Sequence, residues 1–195
     1  SLPMGRRFTW SEMESFKLGT FLTMHSMIYR LDFLRGTGVE LPNHTFYVDN
    51  LIAYVPLPHV KTIFYEDADL YQYFIGRDEQ SVNRDVLIKR IDQHILVTKM
   101  VASAYHVFDE VKEPKLQTYM MNYLSILVTI TISHLNMSKK PENHAKVDEF
   151  WSWLEAYDPK MYKYCKRDEL NWIIDKLSKS DLGKKTLSSV YTIAQ

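Results

Sequence analysis

The chain has 195 residues, with 24 lysines and arginines against 24 aspartates and glutamates, and 46% of its residues are hydrophobic. That composition supports an ordinary packed core in one domain, or one and a small second, and excludes wholesale disorder. A net charge of zero gives no overall electrostatic case for nucleic acid or an anionic membrane. The single cysteine, Cys165, excludes an internal disulfide and fits a reducing, cytoplasmic setting.

The texture of the chain changes near Asn83, dividing residues 1–83 from residues 84–195. In the first part, Ser11 with Glu14 three residues on reads as a capping box, opening a short helix that Gly19 ends. Phe21–Tyr29 is β-prone and predicts a strand, while Leu31–Arg35 predicts a helical turn closed by Gly36 and Gly38. After the loop Leu41–His44, the segment Thr45–Asn50 leads into a short helix through Tyr54. Pro56 and Pro58 end that helix, since each lacks an amide donor and restricts its predecessor. Val60–Tyr65 and Leu70–Phe74 predict two more strands around an acidic connection, and Gly76–Ser81 is a polar loop.

In the second part, Ile88, Ile91, Ile95, Ala102 and Tyr105 share one face of a predicted long helix from about Arg84 to Val111, which Pro114 breaks. Helices over Lys115–Met137, Pro141–Tyr157 and Glu169–Ser178 follow, with a weaker one after Gly183. The apolar run Tyr123–Ile132 is interrupted by hydroxyls and falls short of the ~20 residues a spanning helix needs, so it predicts a core helix. The helix through Tyr119–Leu135 is apolar on more than one face, which also offers a route to self-association. Trp151, Trp153, Leu154 and Trp172 read either as core or as a partner-binding face.

Three groups of residues bear on chemistry. Asp49, at a helix start, reads either as a general base held near helix N-terminal amides or as an ordinary cap. Asp67-Ala68-Asp69 can share a divalent metal, but short acidic turns are usually solvated. Arg77, Gln80 and Ser81 form a loop that either folds over a phosphorylated substrate or lies on the surface. No nucleophile elbow surrounds Ser26 or Ser81, zinc-ligand spacings are lacking, and there is no glycine-rich phosphate loop or dinucleotide fingerprint.

Met24-His25-Ser26-Met27-Ile28-Tyr29-Arg30, Leu31-Asp32-Phe33-Leu34-Arg35, Phe46-Tyr47-Val48-Asp49-Asn50 and Tyr71 through Asn83 together resemble the second half of a bacterial family 2 glycosyltransferase, over roughly Phe21 to Lys99. The resemblance implies an α+β, mainly helical chain. Residues 1–83 are then the acceptor-side piece of a GT-A fold, and residues 84–195 a C-terminal helical bundle. It implies an inverting transfer from a nucleotide sugar to a glycan or cell-surface polymer, with Asp49 deprotonating the acceptor hydroxyl. His25 and Arg30 match the strand lining the acceptor site, and Arg77, Gln80 and Ser81 a mobile loop over the donor diphosphate. Val48 stands where an acidic residue commonly precedes the base. A Rossmann-like donor half with its Asp-x-Asp motif has no counterpart before Phe21, so a magnesium or manganese ion belongs to the parent enzyme. The chain alone is expected to be inactive. The other reading is a non-catalytic helical interaction or oligomerisation module.

Overall fold

The computed structural model describes residues 2–14, 16, 20–72, 74, 84–138 and 140–167, with Arg84 described in its backbone only. The fold is mainly helical. Its elements in chain order are β1 (Arg7–Phe8), α1 (Leu31–Gly36), α2 (Asp49–Tyr54), β2 (Ile63–Phe64), α3 (Arg84–Lys89), α4 (Ile91–Ser103), α5 (Val107–Glu110), α6 (Pro114–Met137), α7 (Pro141–Tyr157) and α8 (Pro159–Arg167). The two strands pair antiparallel, with Arg7 opposite Phe64 and Phe8 opposite Ile63. Short 3-10 turns at Trp10–Glu12, Met24–Ser26 and Leu57–His59 complete the list.

The centre of the molecule is α6. Pro114 occupies its first turn, where its missing amide costs nothing, and the Glu113 carboxylate accepts the Leu116 N–H at 2.6 Å. The helix is apolar on several sides because it is surrounded: α3, α4, α5, α7, α8 and the Trp10–Glu12 turn all pack against it. Met120, Leu124, Val128, Ile132 and Leu135 are fully buried along it. The surface that suggested self-association through Tyr119–Leu135 is therefore largely taken up within the chain. No helix among the described residues is long and apolar enough to cross a membrane.

The predicted helix over Arg84–Val111 is three helices. Arg90 (φ −108°, ψ 20°) interrupts the first junction, its guanidinium stacked on the Phe46 ring at 3.6 Å. At the second junction the Tyr105 hydroxyl donates to the Val55 carbonyl at 2.8 Å and the His106 ring meets Asp158 at 3.0 Å. These tertiary contacts turn the chain where helical periodicity alone continues it. The predicted strand Phe21–Tyr29 is a 3-10 turn followed by extended chain, Val60–Tyr65 contributes only β2, and Leu70–Gln72 lies in no strand. A β-prone segment with no neighbour has nothing to receive its backbone hydrogen bonds. Glu12 rather than Glu14 closes the first turn, accepting the Thr9 N–H at 2.9 Å. The helices expected at Glu169–Ser178 and after Gly183 lie outside the described residues, as does Trp172. Trp151 and Leu154 are buried, and Trp153 stacks on Tyr157 at 5.6 Å with the Lys99 ammonium over its ring.

One buried carboxylate joins three helices. Asp158 follows α7 and caps α8, accepting from the Lys160 and Met161 amides at 2.9 and 3.1 Å, and it pairs with His106 before α5. Burial raises its carboxyl pKa, but the His106 ring and the two amides more than offset this, leaving it below the ordinary value. Asp158→Ala removes the cap and the ion-pair partner together. It is expected to lower stability by about 2–4 kcal/mol in denaturant unfolding. A loss within experimental error would show that the cap and pair contribute nothing.

Candidate functional site

The approach to Asp49 is fixed by an unusual backbone. His44 and Tyr47 adopt positive φ angles of 53° and 71°, a region that non-glycine residues enter only when their surroundings hold them there. The holding contacts come from α4. The Phe46 N–H donates to Gln93 Oε1 at 2.9 Å, and the Tyr47 ring packs edge-on against His94 at 4.9 Å. The Asn50 side chain then donates to the Tyr47 carbonyl at 2.8 Å and accepts from the Tyr123 hydroxyl at 2.9 Å. With Leu51, Ala53 and Tyr54 buried behind it, the start of α2 is clamped between α4 and α6.

Asp49 is the first residue of α2, and Val48, in helical conformation, stands at the cap position. The residue is exposed. Desolvation of its carboxyl raises the pKa above the ordinary aspartate value, against the pull of the Asp49 and Asn50 amides and the charge of His25. The carboxylate therefore serves the helix start and also faces outward. Asp49 is thus one residue past the cap position expected for it, which Val48 occupies without a side-chain cap hydrogen bond.

His25 lies in the exposed turn Met24–Ser26 rather than in a strand. Its Nε2 is hydrogen-bonded to Thr23 Oγ1 at 3.0 Å, and its ring stacks on Tyr71 at 4.9 Å. The charge of His25 reaches the Asp49 carboxyl. Arg30 is exposed at the lead-in to α1 and forms no ion pair among the described residues. Arg77, Gln80 and Ser81 lie outside the described residues. No group of three or more His, Cys, Asp or Glu side chains able to hold a metal occurs among the described residues, Asp67 and Asp69 included.

Sequence reasoning missed Asn50, Tyr123 and Tyr71. Asn50 had a local signal, since an amide beside an aspartate at a helix start commonly bonds nearby backbone. The Tyr123 contact spans 73 residues of chain and has no local signal.

An open cleft of about 370 Å³ lies elsewhere, lined by Trp10, Pro58, Val60, Lys61, Lys112 and Leu116 among others. It sits beyond the C-terminal end of α2, whereas Asp49 begins that helix. None of Asp49, His25 and Arg30 lines it. The class defined by the fold is a helical bundle carrying a two-stranded ladder and an exposed helix-start carboxylate. No family model, curated protein or solved structure matches the chain.

Proposed function

We propose that this chain carries the acceptor side of an inverting family 2 glycosyltransferase, with Asp49 as general base. The observation that carries the reading is the Asp49 carboxyl itself: exposed, its pKa raised, on a helix start clamped by Asn50 and Tyr123, and felt by the charge of His25. A carboxylate with a raised pKa accepts a proton more readily than an ordinary surface aspartate. In the reaction, Asp49 takes the proton of a sugar hydroxyl as its oxygen bonds to the donor's anomeric carbon. The bond from that carbon to the nucleotide phosphate breaks, and its electron pair leaves with the nucleoside diphosphate. Exposed Tyr71, stacked on His25, supplies aromatic surface suited to the apolar face of a sugar ring. The donor-closing roles proposed for Arg77, Gln80 and Ser81, and the acceptor-lining role of Arg30, rest on the resemblance alone. The divalent ion of the parent enzyme has no ligand set among the described residues.

The test is Asp49→Asn in an enzyme containing this segment and a donor-binding half, assayed with a nucleotide sugar and a glycan acceptor. The expected result is a loss of about 10²-fold or more in kcat with unchanged helical circular dichroism. Wild-type turnover by the variant would remove Asp49 from the mechanism. In the wild type, the ionised base is lost as pH falls through the raised Asp49 pKa, so kcat/KM falls on the acid side. A second reading, a non-catalytic interaction or oligomerisation module, is favoured by the exposed apolar side chains around Ile28.

A further inference from the structure

We propose that Met27–Arg30 is a pairing edge, and that a second copy of this chain docks on it as an antiparallel strand. The composition of Phe21–Tyr29 suits a strand, and the backbone is extended at both ends of the stretch, with φ −114° and ψ 136° at Met27 and φ −65° and ψ 131° at Arg30. Its side chains alternate as a strand's do. Met27 and Tyr29 are half-buried, with the Tyr29 hydroxyl donating to the Ile52 carbonyl at 3.3 Å, while Ile28 and Arg30 are exposed. Yet the amides and carbonyls of Ile28 and Tyr29 have no backbone partner among the described residues.

An extended segment with unpaired backbone and an apolar side chain standing clear of the surface is a template for another strand. Ile28 is 86% exposed, the largest value among the exposed large hydrophobics of the described residues. Met24 and Leu31 are exposed on either side, and the His25–Tyr71 stack brings exposed Leu70 alongside.

The surrounding charges suit a two-fold partner. Arg30 and Arg35 close the stretch, while at its other end His25 stacks on Tyr71, which Glu66, Asp67 and Asp69 precede in the chain. None of the five forms an ion pair among the described residues. A two-fold axis near Ile28 reverses the strand direction, so Arg30 of each copy faces the acidic end of the other. The same contact forms twice, as an isologous dimer requires.

The test is light scattering coupled to gel filtration over a concentration series, with amide exchange measured at Ile28 and Tyr29. The wild-type chain is expected to be a dimer in which one of these two amides, the one on the edge facing the partner, is protected, since successive residues of a strand donate to opposite edges. Ile28→Lys, at a position exposed in the monomer, is expected to give a monomer with fast exchange and the same helical circular dichroism. A wild-type monomer at every concentration overturns the proposal, as does a dimer that Ile28→Lys leaves intact. Neither result bears on Asp49, whose role is tested by turnover.

Discussion

Lowering the pH from about 7 to about 4.5 is expected to cost this fold roughly 3 kcal/mol through His94 alone. His94 is buried between α4 and α6, where its Nδ1 is hydrogen-bonded to Thr131 Oγ1 at 2.9 Å and lies 3.3 Å from Thr98 Oγ1. Desolvation first, and the charge of nearby His134 second, push its pKa down to about 3 from the ordinary histidine value of 6.5. The folded pKa lies below the unfolded one, so between these values the unfolded chain binds a proton that the folded chain refuses. Stability is therefore greatest above about pH 6.5 and falls as pH drops toward 3, by about 5 kcal/mol if the whole shift is expressed. Asp158 adds a loss of the same sign at lower pH, because its carboxyl lies below the ordinary value and gives up its stabilisation on protonation. Denaturant midpoints measured across this range check the prediction. His94→Gln should be less stable at neutral pH and nearly flat above about pH 4.5, where carboxylates begin to titrate. An equal acid slope in wild type and variant would place the effect elsewhere.

Leu124→Ala is expected to destabilise the chain by about 3–5 kcal/mol, a large part of the total stability of a domain this size. Leu124 is fully buried on α6, in the cluster that also holds Tyr54, Met120, Val128 and Phe150. Its removal leaves a cavity at the point where several helices meet, and none of them can close it without disturbing the others. The readout is the free energy of unfolding in urea with an unchanged m-value. A change below about 1 kcal/mol would mean that the site collapses freely and is not the packing centre. Both predictions concern α6, one through a polar contact across its interface with α4 and one through its apolar core.

The candidate site was partly legible in the residues. Asp49 and His25 were both singled out by the sequence, and the fold brings them within electrostatic reach through the Met24–Ser26 turn rather than along a strand. Arg30 was singled out with them and forms no ion pair among the described residues. The clamp that fixes Asp49 was not legible, because Tyr123 belongs to a helix far along the chain and Tyr47 reaches its conformation only against His94. The buried His94 also escaped notice. A histidine with a threonine four residues on, on an otherwise apolar helix face, was the available signal.

By itself the sequence determined the helices whose signals are local. Pro114 and Pro141 start α6 and α7 within a residue of expectation, and the short helices at Leu31 and Asp49 follow from glycine, proline and apolar spacing. Tertiary structure decided the breaks at Arg90 and Ala104–His106, the scarcity of strand and the burial of α6 on nearly every side. The physical reason is the range of the interactions. Caps, prolines and helical periodicity act over a few residues and can be read in place. A strand exists only where a second segment receives its hydrogen bonds, and a helix turns only where distant groups such as the Phe46 ring, the Val55 carbonyl and the Asp158 carboxylate meet it.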